Sequence, residues 1–178
     1  IDFTVPNVLR AGETNRVTLL GRNLPGAQQS ALFGSDGNPL EQLALEILAP
    51  EAASSSVVET ARKPAIASLF GELFFWRLTN TKGSSNPLLF LLSSNSVATV
   101  ESNELREVAP PCDVSGMFPA RGQLSGVTFK AKKGDVFWLE LDADRLGFPS
   151  DPHGVVQRIR ATKSESGETL HADVVEVG

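Results

Sequence analysis

Glycine and proline interrupt this chain along almost its whole length. The 15 Gly and 11 Pro of its 178 residues fall at intervals of about 8 to 15 residues. Short runs rich in Leu, Val and Phe lie between them, and apolar residues at helical spacing are scarce. Such spacing is typical of all-β sandwich proteins. We therefore predict an all-β fold.

Several of the short runs predict core strands. Residues 16–21 place apolar side chains on one face and end in a turn. Residues 40–50 fit either a helix face or an alternating strand, and we favour the strand because Pro39 and Pro50 bound it. Residues 72–80 and 86–95 are apolar on both faces, so they must be covered twice, by the core or by a neighbouring domain.

The second half combines a predicted linker with predicted hairpins. Residues 101–113 carry charges, two consecutive prolines and no periodicity, which indicates a semi-rigid connection. Apolar residues then alternate on both sides of Gly134, which supplies the positive φ of a tight hairpin turn. Residues 154–161 and 171–177 predict another strand pair around a turn.

Composition excludes several classes of protein. At 41% apolar and 21% charged residues, the chain is neither disordered nor fibrous. The lone Cys112 rules out a disulfide scaffold within the chain, and no run approaches the roughly 20 apolar residues that span a bilayer. Residues 1–98 carry 7 basic and 8 acidic side chains and residues 99–178 carry 9 and 13. Neither half is basic, so we expect no nucleic-acid partner.

Ordered motifs in the second half resemble the bacterial pre-peptidase C-terminal domain, an extracellular β-sandwich module. They comprise a proline and a glycine-containing strand, a Phe-x-Ala-x-x-Gly hairpin, Arg-Leu-Gly and Asp-Pro. The matching positions are Pro111, Gly116, Phe129, Ala131, Gly134, Arg145, Leu146, Gly147, Asp151 and Pro152.

The first half resembles an Ig-like module of the transcription-factor-immunoglobulin kind. A Gly-x-x-x-x-Val-x-Leu strand is followed by Gly-x-Asn-Leu, and residues 83–93 look like a late strand of that family. The matching positions of the first motif are Gly12, Val17, Leu19, Gly21, Asn23 and Leu24.

The two resemblances imply tandem β-sandwich domains, Ig-like over residues 1–98 and pre-peptidase C-terminal-like over residues 99–178. They also imply an extracytoplasmic bacterial protein in which these modules space or display neighbouring domains of the same polypeptide. Some relatives bind polymers such as collagen or polysaccharide, a role that requires exposed aromatic side chains. The candidates are Trp76, Trp138, Phe118 and Phe148, and because both tryptophans lie in apolar runs we expect both to be buried.

Two acidic groups suit calcium, which binds carboxylate, amide and carbonyl oxygens. The first is Glu101, Asn103 and Glu104, part of a calcium-binding pattern in related collagen-binding modules. The second is Asp142, Asp144 and Asp151 at a strand end and the loop after it. For each group we favour the alternative, a solvated acidic loop. We therefore expect no required cofactor, and calcium binding is left as an open alternative.

We expect no catalytic activity. His153 and His171 lack metal-binding spacing, no nucleophile elbow is present, and a Ser-His-Asp site would have to form by proximity alone. No cation or base lies near Cys112 in sequence, and the neighbouring Asp113 carboxylate disfavours a thiolate. We interpret Cys112 as a small packing residue. Lys130, Lys132 and Lys133 are interpreted as a solvated face.

Overall fold

The computed structural model describes residues 1–52, 72–81, 83–100, 104–117, 124–141, 143, 153–164 and 167–174. Those ranges contain β-strands and no helix, so the all-β prediction is confirmed. The chain divides into two compact units, Ile1–Val136 and Phe137–Gly178. The predicted boundary between residues 98 and 99 falls inside the first unit, and the division into two sandwich modules stays a prediction.

Among the described residues, the largest sheet of the first unit has four antiparallel strands in the order β1-β3-β5-β4. Their bounds are β1 Phe3–Val5, β3 Thr14–Gly21, β4 Gln28–Phe33 and β5 Pro39–Leu48. Val17 lies opposite Leu45, and Leu19 lies opposite Leu43. The strand predicted for residues 40–50 is therefore confirmed, because its alternating leucines line one face of the sheet.

A second sheet contains β2, β9 and β6 in that order. Their bounds are β2 Val8–Arg10, β6 Glu72–Trp76 and β9 Leu88–Ser93. β2 runs parallel to β9, and β6 runs antiparallel to it. Phe74 lies opposite Phe90, and their rings stack with centroids 6.4 Å apart.

Both sheets contribute to one hydrophobic core. Phe90, Leu9, Leu19 and Val17 are all completely buried. The buried members of this cluster are Leu9, Val17, Leu19, Leu24, Ile47, Ala49, Leu88, Phe90 and Leu92. A core shared by two sheets is consistent with a β-sandwich. Leu89 and Leu91, on the other face of β9, are half-buried, as expected for a strand that is apolar on both sides.

Further short strands complete the described part of the first unit. They are β7 Thr79–Asn80, β8 Gly83–Ser84, β10 Ser96–Val100, β11 Leu105–Glu107, β12 Cys112–Gly116 and β13 Gly126–Thr128. β10 pairs in parallel with β12, and β11 pairs in parallel with β13. The linker predicted for residues 101–113 is thus wrong where β11 and the start of β12 lie. Backbone hydrogen bonds to β10 and β13 place these residues in strands. Because every residue has the backbone groups that form such bonds, side-chain periodicity does not reveal them.

The second unit contains an antiparallel hairpin of β14 (Gln157–Ser164) and β15 (Gly167–Val174). The predicted strand pair is confirmed over residues 157–161 and 171–174, whereas residues 154–156 form no strand. The hairpin predicted around Gly134 is only partly right. Gly134 adopts φ +98° in a turn in which the Asp135 amide donates to the Lys132 carbonyl at 3.2 Å, but residues 129–141 form no strand.

Candidate functional site

The second unit begins with residues 137–141, in which four exposed apolar side chains flank Glu140, and we call these residues the Trp138 segment. Trp138 is 84% exposed, Leu139 58% and Leu141 60%. Exposed apolar side chains are common when single, but several in succession mark surfaces that bind other molecules. The Trp138 segment is therefore the candidate interaction surface.

The expected burial of Trp138 is wrong. Alternation in the sequence predicts that one face of a strand will be covered, but the covering layer must come from elsewhere in the chain or from a partner. Residues 129–141 are not part of a sheet, and within the described part of the chain no opposing layer covers the indole. Trp76, on β6 of the first unit, is half-buried and packs against the core. Its environment is therefore closer to the predicted burial than that of Trp138.

The four aromatic candidates for polymer binding are therefore distributed unevenly. Trp138 is exposed and Trp76 is half-buried, and the two lie in different compact units. Phe118 and Phe148 lie outside the described residues. The exposed indole of Trp138 is the part of the predicted aromatic surface that the structure displays.

An acidic cleft of about 340 Å³ lies in the first unit. Its carboxylates are Glu51, Glu72 and Asp113, and β9 and the residues after it supply much of the rest of the lining. Asp113 accepts hydrogen bonds from the hydroxyl of Ser93, which is 4% exposed, and from the side-chain amide of Asn95 at 3.3 Å. Sequence reasoning missed this cleft, because its three acids come from separate segments and share no motif.

The calcium candidates fall mostly on residues that lie outside the described ranges. Those residues are Glu101, Asn103, Asp142, Asp144 and Asp151. Glu104 is described and exposed just before β11, and its backbone carbonyl accepts a hydrogen bond from the Gly126 amide at 3.0 Å. Among the described residues, no three His, Cys, Asp or Glu side chains are grouped closely enough to hold a metal ion.

Cys112 opens β12 and is half-buried. Burial, together with the negative charge of Asp113, raises the pKa of its thiol above the ordinary value. A raised pKa favours the unreactive thiol over the thiolate. The predicted effect of Asp113 is thus confirmed, and burial adds the larger part of the shift.

The remaining titratable candidates are dispersed. His153 is exposed, whereas His171 lies in β15 at the register position opposite Arg160. Lys130 is exposed as predicted and forms a salt bridge with Glu107 at 2.9 Å, which raises the pKa of Lys130 and lowers that of Glu107. Exposed pairs of this kind contribute little to stability.

Comparisons of the chain with protein-family models, with curated proteins and with solved structures found no match. In the described part of the chain, no helix has the length and hydropathy needed to cross a membrane.

Proposed function

We propose that this chain is a non-catalytic interaction module of a larger extracytoplasmic bacterial protein. In this proposal it consists of an Ig-like sandwich over residues 1–98 and a pre-peptidase C-terminal-like sandwich over residues 99–178. Its role is to space or display neighbouring domains of the same polypeptide. The observation that carries the proposal is the exposure of the Trp138 segment.

The Trp138 segment supports this role because exposing apolar side chains to water is unfavourable in free energy. Each buried Å² of apolar surface is worth about 25 cal/mol, so covering Trp138, Leu139 and Leu141 would stabilise an assembly. Cores of protein interfaces are enriched in aromatic residues. A neighbouring domain that covers this surface would hold the module in a fixed position.

The Ig-like part of the proposal is supported by the strand arrangement at the start of the chain. β1 joins the four-stranded sheet and β2 joins the three-stranded sheet, although only Pro6 and Asn7 separate them. The chain therefore changes sheets within a few residues. Two sheets over one core also form the architecture of Ig-like domains.

Amide hydrogen exchange tests the interaction role. This chain alone is compared with a longer piece of the same polypeptide that includes its adjoining domains. We expect exchange at residues 137–141 to slow at least about tenfold in the longer protein, because a covering surface excludes water and restricts opening. Equal exchange rates in the two proteins would reject the proposal.

A pair of variants makes this experiment specific. Trp138→Ser should abolish the added protection, whereas Phe33→Ser should leave it unchanged. Phe33 is a suitable control because it is 65% exposed and lies on β4 of the first unit. Loss of protection in both variants would indicate a general structural defect and would contradict a specific contact at Trp138.

A polymer-binding role is the alternative, and the exposure of the Trp138 indole favours it. Flat aromatic side chains present a large, rigid apolar surface with a polar N–H group. Native gels cast with a soluble polysaccharide, and a collagen affinity column, test this role. Retardation that disappears in Trp138→Ser supports it, and unretarded migration together with no collagen retention excludes it.

Calcium binding is a separate part of the alternative. Calorimetric titration of chelator-treated protein with calcium should reveal at most one weak site. The two candidate groups are Glu101, Asn103 and Glu104, and Asp142, Asp144 and Asp151. No heat and no shift in melting temperature at millimolar calcium would remove calcium from the proposal. The extracytoplasmic location is tested by looking for a signal peptide upstream in the reading frame.

A further inference from the structure

We draw no further inference here: the strongest candidate, the acidic cleft around Glu51, Glu72 and Asp113 in the first unit, carries nothing because its case rests on a cluster of carboxylates alone and no second observation in the described part of the chain points to a ligand.

Discussion

The Ser115 hydroxyl donates a hydrogen bond to the side-chain oxygen of Asn7 at 2.6 Å, although 108 residues separate them in sequence. The Asn7 backbone amide donates back to the same hydroxyl at 3.1 Å. Ser115 is only 2% exposed. This pair fastens β12 to the turn between β1 and β2, so the strand beyond residue 98 is tied directly to the start of the chain.

Replacing Ser115 with Ala should therefore lower the free energy of unfolding by about 1–3 kcal/mol, because it leaves the part-buried backbone amide and side-chain oxygen of Asn7 without their partner. Urea denaturation monitored by circular dichroism measures the change. Ser96→Ala is the matched control, since Ser96 is exposed on β10 and its loss should cost less than about 0.5 kcal/mol. Equal losses in the two variants would contradict a special role for the Asn7–Ser115 pair.

Phe90 should be costly to truncate. It is completely buried and stacks on Phe74. Phe90→Ala should cost about 3–5 kcal/mol, because it removes transfer free energy and leaves a cavity. Thermal and urea unfolding measure the loss, and Phe33→Ala, at an exposed position, should change stability by less than about 0.5 kcal/mol.

The turn after β3 depends on one carboxylate. Glu41 accepts a hydrogen bond from the Leu24 backbone amide at 2.8 Å, and Leu24 is 8% exposed. Glu41→Ala should destabilise the chain by about 1–3 kcal/mol, since the amide loses its acceptor. Glu41→Gln keeps an oxygen at the same reach and should recover most of the urea midpoint. A Gln variant as unstable as the Ala variant would show that the hydrogen bond is not the cause.

Asp36 should titrate far below an ordinary carboxyl. Hydrogen bonds from the side chain and backbone of Asn38, and then from Arg22, lower its pKa from 3.8 to about 2. Because the folded-state pKa is the lower one, the stabilisation is present above about pH 4 and is lost as the pH falls toward 2. Carbon-detected NMR of the side-chain carboxyl measures this titration directly.

Variants separate the two causes of the Asp36 shift. Asn38→Ala should move the pKa of Asp36 back toward 3.8, because it removes the side-chain hydrogen bond that is the largest single cause of the shift, while the backbone hydrogen bond from residue 38 remains. An unchanged pKa in Asn38→Ala together with a raised pKa in Arg22→Ala would mean that Arg22 dominates. Asp36→Asn should remove this part of the dependence of stability on pH.

Local patterns predicted several strands from their own residues. The alternation in residues 40–50 is confirmed in β5, and β14 and β15 form the antiparallel pair that was predicted. Such strands can be recognised from their own sequence, because the side chains that line one face recur at every second position.

Contacts between separate segments were not predictable in the same way. The parallel pairing of β10 with β12 uses backbone groups, which every residue has, so no residue type indicates it. The acidic cleft brings together Glu51, Glu72 and Asp113 from three segments without a shared motif. Whether Trp138 is exposed depends on whether another part of the protein packs over it. The pattern of residues in its own segment does not contain that information.

The different surroundings of Trp76 and Trp138 allow intrinsic tryptophan fluorescence to report on the two compact units. The sequence has these two tryptophans and no tyrosine, and one indole lies in each compact unit. Their emission should differ in wavelength, since one is packed against the core and the other faces water. With Trp138→Phe the remaining tryptophan fluorescence belongs to the first unit alone, so the unfolding of that unit can be followed without any label.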